Sequence, residues 1–372
     1  MRKTRCGLAS LHVWVLLGTG ACQEAAESGN ETVWEIDAIP LVDIHDEEVT
    51  GEPVVLHASG ATILSSGVIA VADEYAQAIR FFDAGGKLIR SVGRQGTGPG
   101  EFRDIRWLGQ CARDSLFVYE YTRAMVTVLD SGGGVVRDFR FDNRPLVLSC
   151  SRSGRMVLLG PSERYEEPAA DPPQVPGPLW MIGNDGEGLE RIGDVPIWQN
   201  RPVGRYTSIA TADDRLYIGT AESTWVDVLR LSDRMRTSFR VADSVRVPGQ
   251  HNFEASITRL TSMVRNPVVR EHFRGLYREL PLPRRGPAYT GIIADALGLL
   301  WVNRSLPGDA GTELVAFDSS GRRIAAVALP ESVLVWEIGE EYMLGAHYDA
   351  SGLQLIVKYR LRRGGNESRK PG

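Results

Sequence analysis

Cysteine is scarce in this chain, with four residues in 372. That is far short of a disulfide scaffold, and a chain of about 350 residues can bury a large core without one. Histidine is nearly as sparse, six in all, and scattered. There is no CxxC, no HExxH and no close His/Cys cluster, so a structural zinc site has no support. No G-x-S-x-G occurs either, which leaves Ser59 of the run His57 to Gly60 without the setting of a nucleophile elbow. No apolar run reaches the ~20 residues that span a bilayer. Positive charge is the minority sign, 42 Lys and Arg against 47 Asp and Glu.

What is present begins at the N-terminus. Arg2, Lys3 and Arg5 precede a largely apolar stretch from Leu8 to Leu17, followed by Thr19-Gly20-Ala21-Cys22. A basic start, a short apolar core and small residues before a cleavage point make a secretory signal peptide. The small-small-Cys ending resembles the lipobox of bacterial lipoproteins, with Thr19 where that motif prefers Leu. The resemblance implies cleavage before Cys22, a lipid thioether on its sulfur and an acyl chain such as palmitate on the new N-terminus. Residues 1–22 are then a leader, and the acidic, small-residue run 23–31 is a flexible tether. Gln23 lacks the Asp-type inner-membrane retention signal, so the expected location is the bacterial envelope, lipid-anchored at the outer membrane and facing the periplasm or exterior. Without the leader, 39 basic residues face 47 acidic ones, a net charge of −8. Such a surface is a poor partner for nucleic acid, which relies on basic groups to displace counterions. In an oxidising compartment Cys111 and Cys150 can pair; two buried free thiols are the equal alternative.

Six short hydrophobic segments recur: 67–73, 115–120, 155–160, 215–220, 299–304 and 342–347. Most are followed by a strand, an Asp-x-x-Gly turn and another strand, a hairpin signal because Gly accepts positive φ where the chain reverses. The turns at Asp83, Asp130, Asn184 and Asp233 are 47, 54 and 49 residues apart. The next, at Asp318, comes after 85, and removing residues 251–286 restores 49. A unit of 40–50 residues is about the size of a four-stranded propeller blade. The expected fold is therefore all-β: a six-bladed β-propeller of four-stranded antiparallel blades over 32–363, with a polar tail at 364–372.

Residues 251–286 read as a helical insertion between blades four and five. Phe253, Ile257, Leu260 and Val264 form one apolar stripe. Asn266 and Pro267 open a second helix that Pro281 and Pro283 stop. Seven Arg against three Glu make this stretch basic. It is expected either to cover the disc with a solvated face or to present Arg259, Arg270, Arg274 or Arg278 to an anionic ligand. The Pro-rich stretch from Pro161 to Pro178 reads as a long loop. The last unit lacks an outermost strand, which Thr32–Ile39 or Val54–His57 can supply.

Residues 67–102 resemble the NHL repeat through Asp73, Asp83, Gly93, Gly96, Gly98, Gly100, Glu101 and Phe102, departing at Ala76 and Ala78. The resemblance implies a six-bladed propeller of the kind found in exported bacterial lipoproteins. The Gly-rich loop 93–100 is not a phosphate cradle: no helix with Lys-Ser/Thr follows, and Glu101 would repel phosphate.

Polar residues that end the repeated segments are the ligand candidates at the channel mouth: Asp73, Glu120, Asn303 and His347, with Thr220. Carboxylates and an amide converging there could hold Ca²⁺, a hard cation with oxygen ligands, as in six-bladed lactonases and gluconolactonase-like hydrolases, which this chain is similar to at the level of fold. No metal site and no catalytic set is otherwise legible. Trp107, Trp180, Trp225, Trp301 and Trp336 read as fillers between blades. The expected function is a membrane-anchored binding or protein-interaction module for an envelope protein, a peptide or a carbohydrate. The alternative is a Ca²⁺-dependent hydrolase or lyase.

Overall fold

The computed structural model describes residues 34–44, 57–151, 153–160, 175–197, 207–244, 253–254, 257–258, 261, 266–281, 286–305, 311–329, 333–348 and 354–364. Six antiparallel sheets follow one another along the chain. Blade one is β3 (Ala58–Ile63), β4 (Ile69–Asp73), β5 (Ala78–Phe82) and β6 (Leu88–Val92). Blade two is β7 (Ile105–Ala112), β8 (Ser115–Glu120), β9 (Met125–Leu129) and β10 (Val135–Arg140). Blade three is β11 (Val147–Ser151), β12 (Arg155–Leu159), β13 (Val175–Gly183) and β14 (Glu190–Ile197). Blade four is β15 (Ser208–Ala212), β16 (Arg215–Gly219), β17 (Trp225–Arg230) and β18 (Arg236–Arg240). Blade five is β19 (Gly291–Ala294), β20 (Leu300–Ser305), β21 (Thr312–Phe317) and β22 (Arg323–Ala328). Blade six has β23 (Leu334–Ile338), β24 (Tyr342–Tyr348) and β25 (Gln354–Arg362). The first strands of successive blades touch in a closed ring around the channel.

Each repeated hydrophobic segment is the second strand of its blade. Its run is continuous rather than alternating because both faces are covered by neighbouring blades: all five residues of β4 are buried. The outer strands behave differently, and β10 alternates half-buried and exposed positions over most of its length. Six apolar clusters fill the six interfaces between successive blades.

The repeated Asp is a turn cap. Asp83 Oδ1 accepts the amides of Gly85 and Lys87, and Asp130 Oδ1 those of Gly132 and Gly134. The turn Gly lies against the preceding blade. Gly133 has φ +83°, and a Cβ there would sit 2.7 Å from Val92 Cγ2. That close approach and the left-handed backbone together demand glycine. The loop 93–102 folds over its own Glu101, whose Oε2 accepts the amides of Thr97 and Gly98. The Gly98 amide first, then the Arg94 guanidinium and the Thr97 amide, hold the Glu101 carboxyl below its usual range. Phe102, fully buried, then plugs the interface of blades one and two.

Closure of the ring comes from the N-terminus. β1 (Glu35–Ile36) and β2 (Val42–Ile44) pair antiparallel with β25, one after the other along the same edge. Together they fill the place of a fourth strand. Glu35–Ile36 lies inside the 32–39 segment expected for this role; Val54 to Leu56 lie outside the described residues. The Pro-rich loop is shorter than the sequence suggests. Pro176 and Pro178 belong to β13, opposite Pro196 and Asp194 of β14. They are tolerated because β12 ends at Leu159, and the bond that the Gly160 amide makes beyond it, to the Pro178 carbonyl at 2.8 Å, asks for no proline N–H.

Cys111 of β7 and Cys150 of β11 are joined as a disulfide, Cα atoms 5.1 Å apart, tying blade two to blade three. With the cysteines 39 positions apart in sequence, loop closure should contribute about 4 kcal/mol. Thermal melting with and without reductant should show a drop of several degrees; an unchanged midpoint after verified reduction would refute the assignment of stability to this bridge.

Candidate functional site

One rim of the channel is built where the first strands begin. The turn between second and third strands lies beside each start: the Glu74 amide donates to the His57 carbonyl at 2.8 Å, and Tyr121 to Asp104 at 3.1 Å. Asp73, Glu120 and Asn303 sit in register opposite the first residues of β3, β7 and β19, namely Ala58, Ile105 and Gly291. These three therefore share one end of their blades.

Their side chains do not form a ligand set. Asp73 Oδ1 accepts the amides of Tyr75 and Ala76 at 2.9 Å, and Oδ2 accepts Arg80 Nε at 2.8 Å. Glu120, fully buried, accepts the Arg103 amide at 2.6 Å and faces Arg123 at 3.4 Å. Burial pushes its carboxyl above the usual range, against the pull of the Arg103 amide and the Arg123 guanidinium. The Asn303 carbonyl accepts the Thr290 amide, while its side-chain oxygen is buried with no hydrogen-bond partner among the described residues. His347 stands on β24 opposite Leu355, half-buried. Thr220 directly follows β16. Among the described residues, no three His, Cys, Asp or Glu side chains come together as metal ligands. The physical reason lies in the repeat: a carboxylate at the end of the second strand caps its own turn or pairs with an Arg of its own blade.

The insertion is placed in part. Its helix, Pro267–Arg278, starts at Asn266, whose side chain accepts the Val268 and Val269 amides, with Pro267 in the first turn. Phe253 and Ile257 are buried beneath Tyr277 and Leu280. Arg274 donates to Thr261 Oγ1 at 3.1 Å, and Arg278 lies 3.4 Å from Glu254. These two guanidiniums therefore brace the insertion itself. Arg270 also has partners, and Arg259 lies outside the described residues.

The rim holds a chain of charges that the sequence does not announce. His57 Nδ1 is 3.2 Å from Glu74 Oε2, and Glu74 Oε1 is 3.2 Å from Arg106. Arg106 Nε contacts Asp104 at 2.6 Å, and Thr122 donates to the other Asp104 oxygen. Glu74 directly follows the repeat residue Asp73, which is the one signal that could have drawn attention to it. Deeper in the ring, Thr62 of β3 and Tyr342 of β24 donate to the Glu337 carboxylate of β23. Gln110 of β7 donates to Thr62 at 2.6 Å, so blades six, one and two are hydrogen-bonded across the channel wall. Ser149 and Thr211 link blades three and four in the same way.

These features define a six-bladed β-propeller with an irregular, polar rim. No protein-family model matches the chain, and no curated protein matches it. Solved structures do. A member of the DUF4221 family from Bacteroides vulgatus superposes with TM-score 0.54 at 11% identity, over 90% of this chain and 100% of that one. A candidate exported protein from Bacteroides fragilis gives TM-score 0.51 at 10% identity, over 90% and 96% of the two chains. The calcium-binding protein regucalcin from Agrobacterium tumefaciens gives 0.45 at 12%, over 90% and 97%. At these identities the likeness is one of fold alone.

Proposed function

We propose that this protein is an extracytoplasmic binding module, a propeller of the NHL type held at the bacterial envelope by a lipid on Cys22. One observation carries this reading. The rim carboxylates best placed to hold a cation, Asp73 and Glu120, are engaged by backbone amides and by Arg80 and Arg123. They act as parts of the scaffold, and recognition falls to the side chains and turns around them. The Cys111–Cys150 bridge supports an oxidising compartment, and among the described residues no helix is long and apolar enough to cross a membrane. An envelope protein, a peptide or a carbohydrate fits such a module.

Melting in EDTA and then in millimolar Ca²⁺ tests it. A ligand at about a hundred times its dissociation constant adds roughly 2.7 kcal/mol. The expected result is an unchanged midpoint. A rise of several degrees, lost in Asp73→Asn and Glu120→Gln, would overturn the reading in favour of a Ca²⁺-dependent hydrolase.

A further inference from the structure

β9 is buried along its whole length, and alternation divides its side chains between two blade interfaces. Val126 and Val128 pack toward blade three, whereas Leu129 packs into the interface of blades one and two. Met125 and Thr127 share the Leu129 side, so they look toward blade one and the glycine-rich link 93–102. Between that link and the strands β9 and β10 lies a cavity of about 150 Å³, lined by the turn 98–101, Arg123, Met125, Thr127, Val135 and Asp138.

The charges around this space are paired off, with one exception. Arg94 reaches Glu101 at 2.7 Å. Arg123 faces the buried Glu120 at 3.4 Å and donates to the Glu101 carbonyl at 3.2 Å. Asp138 is exposed and makes no ion pair among the described residues. Directly across the ladder from it stands Thr127, 3% exposed. The Thr127 hydroxyl has no hydrogen-bond partner among the described residues, and unlike Ser59 Oγ it is not sealed from solvent: it opens on the cavity. Buried hydroxyls are normally bonded, and valine would serve a covered strand position equally well, as it does at 126 and 128. The fold therefore gives the Thr127 oxygen no task of its own.

Paired positions place the Asp138 carboxylate and the Thr127 hydroxyl on one face of the sheet, with Cβ atoms about 5 Å apart. Together they suit a cation that donates several hydrogen bonds, and an ammonium has three donors and no acceptor. The rest of the lining suits an aliphatic stem: the Met125 thioether, Val135 and Pro99. Size narrows the choice, because the cavity is below the roughly 300–1,000 Å³ of a site for a drug-sized molecule and accommodates one long side chain. The unanswered charge is negative, which disfavours an anion, and the excess of acidic over basic residues outside the leader, 47 against 39, favours a basic partner. We propose that this cleft takes an alkylammonium group, the side chain of a lysine on a partner polypeptide, held by Asp138 and Thr127. The proposal rests on the binding-module reading and names the kind of partner.

The test is a peptide array in four forms, with lysine, acetyl-lysine, arginine or glutamate at the varied position, probed with the full protein. Titration calorimetry then follows with the best-bound lysine peptide. Lysine peptides should bind, and their acetylated forms, with the same stem and no charge, should not. Asp138→Asn should weaken binding roughly tenfold or more, and Thr127→Val should weaken it by less. Glu187→Gln removes the same charge from an exposed turn of blade three and should leave binding unchanged. Asp138 is exposed on the edge strand of its blade, so its variant keeps the test valid if Thr127→Val disturbs packing. Lysine peptides that fail to bind, or that bind the Asp138→Asn protein equally well, overturn the site. Peptides bound without regard to charge or to Asp138 would overturn the cleft and leave the binding module standing. Lactone turnover restored by Ca²⁺, with the array blank, would sink the binding module as well.

Discussion

A chain that starts at residue 45 should fail to fold into a monomeric propeller. Such a deletion removes β1 and β2 together with Trp34, Val42 and Ile44, all of which are buried. Burial of a large apolar side chain is worth about 1.5–3 kcal/mol, so the three together approach the whole stability of an ordinary domain, about 5–15 kcal/mol. The loss has a second component. β25 would present an unpaired edge along Ile356–Arg362, now covered by β1 and β2, and bare edges recruit other chains. Size-exclusion chromatography and circular-dichroism melting should show aggregate or unfolded protein. A monomer melting close to the parent would mean that the N-terminal strands are dispensable.

The second large effect is expected at Asp295, on the turn between β19 and β20. One oxygen accepts the amides of Leu297 and Leu299 at 2.9 Å. The other accepts Trp301 Nε1 at 2.8 Å and Arg363 Nη2 at 2.9 Å. Arg363 lies over the Trp34 ring at 4.8 Å and the Trp301 ring at 5.7 Å, and donates to the Gly339 and Glu340 carbonyls. This one cluster thus joins the two ends of the described chain to blade five. The Asp295 side chain is fully buried and that of Arg363 is 13% exposed. Asp295→Ala leaves a buried guanidinium, an indole N–H and two amides without their acceptor, and should cost about 3–5 kcal/mol, or roughly five degrees of melting temperature. Asp295→Asn keeps an acceptor for the turn and should cost less. Arg363→Ala combined with Asp295→Ala should cost less than the two separately; strictly additive losses would show that the pair does not act as a unit.

Some of this architecture is legible in the sequence and some is not, and particular residues show why. The six hydrophobic segments report the second strands because those strands are covered on both faces, and uniform burial leaves uniform apolarity. The Asp-x-x-Gly turns report the third hairpin of blades one, two and five because positive φ and an amide-capping carboxylate leave a chemical trace at fixed spacing. Pro176 and Pro178 mislead because their tolerance depends on where β12 ends, a fact held by another strand. Asp73 and Glu120 share one rim, yet what their side chains do was decided by Arg80, Arg103 and Arg123, and in Glu120 by burial as well.

The candidate site lies furthest from the sequence. His57 before β3, Glu74 in the turn after β4 and Arg106 at the start of β7 come from two blades, and no spacing rule connects them. Bulges at Ser59, Arg106 and Trp336 leave no mark in composition, since a slipped register is a relation between strands. The sequence by itself determined the number of blades, the strand order within them, the turn chemistry and the need for a borrowed strand, because each depends on local periodicity and backbone preference. Which rim residues meet, which carboxylates are engaged and where the channel wall departs from regularity were settled only when the ring closed, because those are contacts between residues far apart in the chain.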